Sequence, residues 1–416
     1  MADEESHRRR RNHQILLLRR TLAGFFNGLP MQYVDLYIVE CGYSKVDLGA
    51  VRSLATLIAA LPASIVNLAA DVSSRKRAYA LALLLEMLSA LLFYVSSNQL
   101  LLVLALTFST VSFFGTTSVE NVLLADSVRG RKRAFRFGIV NSLSILASAI
   151  APVVAAFIVN IFGGISVQGI KPLFLFQLAG LAFASAIALT FVSDVRELEK
   201  VSLLTALKES IELVRLNPWL KRWILLESLG GYVFSMSVPY QMIYAVDVKG
   251  ADEFVLGYMG LAFNVGSFLA SPLTGKLADK IGRVKTILLM RPLFYISLAI
   301  FILAPEPAYL VLAWFIRGIW TGNSPAFQTL AVELVPYEFR GRWASIRTFI
   351  SITARSPAPL IGGLIYSYIS PDALFITAAL VDLFLRMPLI YMTPETLNRK
   401  QYLERLKRPR TNAKKS

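Results

Sequence analysis

Residues 144–152 read SILASAIAP and residues 351–359 read SITARSPAP. Ser144, Ile145, Ala147, Ala151 and Pro152 therefore recur, at a constant offset of 207, as Ser351, Ile352, Ala354, Ala358 and Pro359. The register extends upstream: Gly115 answers Gly322, Val128 answers Val335, and the acid-to-arginine pair Asp126 and Arg133 answers Glu333 and Arg340. The offset is about half of the 416 residues, so the chain reads as two copies of one unit. A duplicated unit in an apolar chain points to a transporter, in which two repeats pack around a central site and rock against each other.

Composition sets the solvent. With 55% hydrophobic and 17% charged residues, the chain is too apolar for a soluble protein of this length. Apolar runs near the length needed to cross roughly 30 Å of hydrocarbon lie at 17–39, 46–70, 78–97, 100–125, 138–162, 172–193, 221–244, 252–274, 284–303, 308–334, 344–369 and 372–392. The expected fold is thus an all-α membrane protein, twelve transmembrane helices in two six-helix pseudo-repeat bundles around a central cavity. Residues 1–193 form the first bundle with a basic tail, 194–220 an amphipathic linker, 221–392 the second bundle, and 393–416 a second basic tail.

Charge gives the orientation. With both termini cytoplasmic, the inner segments hold 34 of the 43 lysines and arginines, whereas the outer loops hold only Lys45, Lys171 and Lys249. The expectation is a multi-pass protein of the cell membrane, its +16 net charge serving topology and the lipid surface rather than nucleic acid. Arg8 to Arg11 followed by Ile15 to Leu18 is no signal peptide, because Arg19 and Arg20 interrupt the apolar stretch and no cleavage pattern follows. Cys41 is the only cysteine, and the two histidines, His7 and His13, lie in the tail, so neither an intrachain disulfide nor a histidine metal site in the membrane is expected. No cofactor is expected. There is no G-x-x-x-x-G-K-[ST] loop for ATP and no nucleophile-base constellation for an enzyme, so a gradient is left as the energy source.

The loop after the eighth span, Gly275-Lys-Leu-Ala-Asp279-Lys280-Ile-Gly282-Arg283-Val-Lys285, resembles the G-x-x-x-D-[RK]-x-G-R-[RK] loop of the major facilitator superfamily. Its first-half counterpart keeps Asp71 and the basic cluster Arg75 to Arg77 but neither glycine. The resemblance covers nearly the whole chain. It implies that Asp71, Arg75, Asp126, Arg133, Asp279, Arg283, Glu333 and Arg340 form cytoplasmic networks that lock an outward-facing state, with Gly275 permitting close helix approach and Gly282 completing the loop. The alternative is that these charges serve topology alone. The fifth span, with Ala151 and Pro152, is similar to the glycine and proline motif of the superfamily's antiporters, with alanine where that motif has glycine; the fourth span lacks the arginine of its proton antiporters. Thr393-Pro-Glu-Thr396 resembles a sugar-porter motif whose partner after the sixth span is absent.

Charges within spans cost ~2.5–3.5 kcal/mol each at a helix centre unless paired or wetted. Eleven occur: Asp35, Arg52, Glu86, Glu120, Glu227, Arg291, Arg317, Arg347, Arg355, Asp382 and Arg386. The resemblance assigns spans 1, 2, 4 and 5 and their counterparts to the cavity, which selects Asp35, Arg52, Glu120, Glu227, Arg317, Arg347 and Arg355. Arg317 and Arg355 suit a carboxylate or phosphate, unless Glu227 neutralises one of them. Glu120 and Asp35 are candidate proton carriers. Asp382 and Arg386 stand four apart, as an intrahelical pair. The stretch 318–325 (GIWTGNSP) is the expected break in a helix. The sequence therefore predicts a monomeric, proton-coupled exporter of a small organic solute working by alternating access. An importer or exchanger of organic anions and a non-transporting membrane sensor remain the alternatives.

Overall fold

The computed structural model describes residues 2–72, 75–96, 98–127, 133–192, 211–212, 214–215, 217–335 and 340–397, and no strand occurs among them. Eight helical stretches are long and apolar enough to cross a bilayer without interruption. They are the second to sixth, eighth, ninth and twelfth crossings of the sequence reading. The remaining four are each built from two pieces: Ala2–Gly28 with Val34–Glu40, Pro218–Ser237 with Gln241–Asp247, Ala308–Thr321 with Ser324–Glu333, and Arg340–Arg355 with Ala358–Tyr368.

Each interruption has a proline in it or just after it, namely Pro30, Pro239, Pro325 and Pro357. Proline removes an N–H and crowds the preceding turn, so the helical ladder cannot run through. The expected break in 318–325 is met at Gly322 and Asn323. Backbone of this kind is tolerated at membrane depth only where protein or a wet cavity surrounds it, and all four interruptions lie on crossings that face the molecular centre.

The duplication is visible in the packing. In the first half Tyr37 meets Phe174 at 5.0 Å and 70°, and Phe174 meets Phe93 at 4.9 Å. In the second half Tyr244 meets Phe375 at 5.0 Å and 78°, and Phe375 meets Phe301 at 5.3 Å. Tyr37 and Tyr244 are again 207 apart, so the same aromatic triad fastens the same three crossings of each bundle. Outer faces carry exposed Leu57, Phe183, Leu289 and Phe384, the surface expected when lipid is the solvent.

The described ends of the chain share one side of the molecule, and polar contacts join the bundles at the other. Tyr33 and Tyr240, both fully buried, sit at the breaks of the first and seventh crossings. Tyr33 Oη donates to the Glu253 carbonyl at 3.1 Å, and Tyr240 Oη donates to the Lys45 carbonyl at 3.2 Å. Lys45 also pairs with Asp247 at 3.1 Å, Asn160 Nδ2 donates to Glu253 Oε1 at 2.6 Å, and the Leu360 amide donates to Ser53 Oγ at 3.0 Å. Asn264 Nδ2 reaches the Ser148 carbonyl at 3.4 Å nearer the middle. These polar contacts between the bundles lie on the side away from the chain ends or near the middle.

The sequence reading leaves Arg19 out of the charges within spans and counts it with the inner basic residues, but the first helix begins at Ala2 and runs unbroken to Gly28. Arg19 is buried within it, because two acids of the same bundle wait for it. Most of the linker reading, 194–220, falls outside the described residues.

Candidate functional site

A cavity of about 610 Å³ lies at the centre, walled mainly by the second bundle, with Met31, Gln32 and Asp35 of the first crossing closing it on the side away from the termini. Its chemistry is dominated by guanidinium groups: Arg291, Arg317, Arg355 and Arg386 line it, against the carboxylates Asp35 and Glu227.

The arginines differ in what compensates them. Arg291 donates from Nε to Asp382 Oδ2 at 2.6 Å and from Nη2 to Asp382 Oδ1, while Tyr295 Oη adds a bond to Asp382 Oδ2 at 2.8 Å. Asp382 is fully buried, and Arg386 reaches it from one turn away at 3.4 Å. The expected Asp382–Arg386 pair is thus present, but the principal partner of Asp382 is Arg291. Residues 382–386 form a single π-helical turn, which widens the helix where both arginines converge.

Arg317 is 7% exposed and has no acid within ion-pair distance among the described residues. Its guanidinium stands 5.4 Å from the Trp314 ring centre and 5.5 Å from that of Phe294. The Gln241 amide, turned with its oxygen toward the guanidinium, accepts from Nη1 and Nη2 at 3.1 and 3.0 Å. Gln241 opens the helical piece that follows the break at Val238–Tyr240, so the interruption is what aims it.

Arg355 ends its helical piece at the break before Ala358 and lies 5.6 Å from the ring centre of Phe114, which belongs to the first bundle. Glu227 forms its ion pair with Arg347, whose Nε is 3.3 Å from Oε2, although neither of these two atoms makes a hydrogen bond. Arg355 and Arg386 gain their places through two adjacent glycines. A β-carbon on Gly230 would stand 2.3 Å from Arg386 Cζ, and one on Gly231 would stand 3.1 Å from Arg355 Cδ. The seventh crossing has been pared to backbone where the two cations pass.

Four of the six expected binding residues, Asp35, Glu227, Arg317 and Arg355, line the cavity, and two do not. Arg52 lies behind Asp35 and donates to it through Nε, so that pair is internally neutral. Glu120 lies inside the first bundle and accepts from Arg19 Nη1 and from Tyr79 Oη at 2.6 Å. Arg19 Nη2 donates to Glu86, whose other oxygen takes the Asn27 amide at 2.7 Å. The sorting of crossings into inner and outer misses Arg291 and Arg386, which come from the ninth and twelfth. The paired glycines 230 and 231 are the one sequence signal that could have found Arg386.

The gate residues divide in the same way. Arg283 lies 3.2 Å from Asp279 and 3.4 Å from Glu333, so this network forms within the second bundle. Asp279 is 77% exposed. The expected close approach at Gly275 is absent: no described atom lies within 4 Å of where its β-carbon would be. Gly282 has φ +107° and faces Glu395, whose carboxylate accepts from the amides of Arg283 and Val284 at 2.9 and 3.0 Å. Thr396 Oγ1 donates to Glu333. Residues 393–396, left without a role in the sequence reading, thus clamp the helix N-terminus that follows Gly282. Arg75 is buried; the side chains of Asp71, Asp126, Arg133 and Arg340 lie outside those described.

Comparison with known proteins agrees with this architecture. The sequence model of the Major Facilitator Superfamily matches residues 16–263 and 241–412. The chain is 23% identical over 376 residues to the multidrug resistance protein MdtG of Dickeya zeae, covering 86% of this chain and 90% of that one. It is 29% identical over 170 residues to the staphyloferrin B transporter of Staphylococcus aureus, covering 39% of each. Among solved structures, a mutant of the nucleoside transporter NupG superposes with a TM-score of 0.71 at 14% identity, covering 92% of this chain and 100% of that one. The human organic anion transporter MFSD10 does so with a TM-score of 0.67 at 15% identity, covering 92% and 99%. A duplicated, twelve-crossing bundle with an arginine-lined cavity at its centre, matched along both halves by one family, is a multi-pass membrane transporter, and the chain belongs to the major facilitator superfamily.

Proposed function

We propose that this transporter exports a small organic solute bearing an anionic group, by alternating access and in exchange for protons, as a monomer in the cell membrane with both termini cytoplasmic. The observation that carries the substrate reading is Arg317: a guanidinium does not discharge at neutral pH, and this one lines the cavity without an acid beside it. A carboxylate, sulfonate or phosphonate would supply the missing charge through two parallel N–H bonds. The aromatic rings of Trp314 and Trp320 supply apolar surface for the rest of the solute.

Support for alternating access comes from the uneven seal. Polar contacts bond the bundles on the side away from the chain ends, while on the other Asp279, Arg283 and Glu333 pair among themselves within the second bundle. That is the inward-facing arrangement if the termini are cytoplasmic. In the opposite state the same residues would meet the first bundle, in the role the superfamily resemblance implies for them. Support for proton coupling comes from the first bundle, where Arg19 is shared by Glu86 and Glu120, one acid more than its charge can neutralise.

The test uses inside-out membrane vesicles with an acid-inside gradient and radiolabelled benzenesulfonate and phenylphosphonate. Gradient-driven accumulation that collapses with nigericin and is lost in Arg317→Ala is the expected result. Accumulation only into vesicles preloaded with the same anion would replace export by exchange. Accumulation of lipophilic cations instead of anions would overturn the substrate reading.

A further inference from the structure

The positive charge of the cavity exceeds what one anionic group can balance. The four arginines of the wall, with Arg52 and Arg347 behind it, make six guanidiniums; the carboxylates that face or pair with them are Asp35, Glu227 and Asp382. Three positive charges remain among the described residues.

These charges are spread along the wall. Arg317 and Arg291 stand over the same ring, 5.5 and 5.1 Å from the centre of Phe294, and Arg291 and Arg386 share one carboxylate, that of Asp382. One carboxylate cannot discharge two guanidiniums, so Arg386 faces the cavity with its charge largely uncompensated, and its Nε makes no hydrogen bond. Arg355 is in the same condition, since Glu227 is engaged by Arg347, and its Nε likewise makes none. Along the seventh crossing, Gln241 marks the Arg317 end, and Gly230 and Gly231 mark the Arg386 and Arg355 end. Ten or eleven residues at ~1.5 Å each separate them, too far for a single carboxylate to touch both.

We infer that the substrate carries at least two anionic groups, one bound at Arg317 and Gln241 and another between Arg355 and Arg386 where Gly230 and Gly231 open the wall. The inference rests on the anionic-substrate reading above and sharpens it from one charge to two. Burying cations without counterions is unfavourable, and each anionic group that enters removes part of that penalty. Valence is therefore the quantity the cavity discriminates, and length matters next, because the two ends must be reached together.

Two matched pairs of probes long enough to approach both ends test this on the purified full chain in detergent: decanoate against sebacate and biphenyl-4-carboxylate against biphenyl-4,4′-dicarboxylate, which differ only in the second carboxylate. Dissociation constants would be taken from the thermal shift as a function of ligand concentration. The dicarboxylate of each pair is expected to bind at least tenfold tighter than its monocarboxylate. Arg317→Gln and Arg386→Gln should each reduce that ratio to about one, while Arg317→Lys, which keeps the charge, should preserve most of it. Gly230→Ala gives a second approach to Arg386 that leaves every charge in place and should also lower the ratio. Equal affinities within both pairs in the wild type would overturn the two-group inference and leave the anionic reading standing. Binding of none of the four probes beside binding of a lipophilic cation would overturn both.

Discussion

Removing the hydroxyls of Tyr33 and Tyr240 should unlock the side of the protein away from its termini. Both rings are fully buried at helix breaks, and each hydroxyl crosses the bundle interface to a backbone carbonyl at the start of a crossing of the other bundle. The donors are 207 apart and the two acceptors, Lys45 and Glu253, 208 apart, one residue out of register, so the seal is a nearly symmetric pair of latches. A net hydrogen bond contributes ~1 kcal/mol, which is about fivefold in the ratio of closed to open states. Tyr33→Phe, losing a 3.1 Å bond, should shift that ratio by about this factor. Tyr240→Phe should shift it somewhat less, because that single proton is shared between the Lys45 carbonyl at 3.2 Å and the Pro359 carbonyl of its own bundle at 2.6 Å. The rings keep their packing, so the double variant should approach the product, roughly 10–30-fold. The assay is labelling of a single cysteine by a membrane-impermeant maleimide. Cys41 is the only native thiol and would be changed to serine, with Leu360→Cys as reporter on the sealed interface. A double variant that labels no faster than the parent, while Lys45→Ala labels faster, would refute the latch and leave the ion pair to Asp247 as the seal.

Three further outcomes follow from the networks. Asp382→Asn should destabilise the protein by ~3–5 kcal/mol, because it leaves Arg291 and Arg386 buried without their shared counterion; thermal unfolding should show less than the sum of the single losses when Arg291→Gln is added. Glu395→Ala should cost ~1–2 kcal/mol locally, as expected for loss of a carboxylate that caps two amides at a helix start. Hydrogen exchange at residues 283 and 284 should rise while the central crossings stay protected. In the first bundle, Glu86→Gln and Glu120→Gln should each abolish proton release on substrate binding but leave the anion dissociation constant within about threefold, since neither residue lines the cavity. Unaltered proton release in both would remove this network from the coupling.

The crossings and their duplication were legible in the sequence because the bilayer leaves few options: crossing length and a repeat offset each follow from a rule that acts on every residue alike. The break at Gly322 and Asn323 was legible for the same reason, since Gly and Pro act locally. The cavity was only half legible. Arg317 and Arg355 could be placed on inner crossings, but whether Glu227 neutralises Arg355 depends on Arg347 standing nearer, and nothing local encodes that distance. Arg386 reaches inward from an outer crossing because a π turn re-aims it and Gly230, 156 residues away in sequence, has no side chain to block it. Arg19 was counted with the inner basic residues because four arginines precede it, although Glu86 and Glu120 fix it inside. Glu395 was passed over because its partners are backbone amides, which carry no residue signature.

The two bundles differ in sign, and that difference bears on how a gradient could drive this transporter. The cluster of Arg19 with Glu86 and Glu120 in the first bundle has one negative charge in excess, while the described charges at the cavity wall of the second bundle leave three positive charges in excess. A proton on either glutamate would neutralise the first, and an anionic solute would neutralise the second. Each excess opposes rotation of its bundle through the low-dielectric middle of the membrane, because the field of a charge in that region is screened least when its site is closed to water. The empty and deprotonated protein would then resist closure at both sites, and a ligand in either would relieve only one of them. Exchange requires the opposite, that filling one site and filling the other be alternative ways of permitting the same movement. The short path between the sites that could supply this runs through the cross-bundle contacts of Phe114 with Arg355 and of the third crossing's neighbours with the eleventh. Phe114 lies six residues before Glu120 on one helix, so a shift of that helix on protonation moves the ring against which Arg355 rests. On this geometry the proposed coupling would be carried by the position of one helix rather than by competition for one pocket, and substrate affinity and proton release should then separate in the glutamate variants.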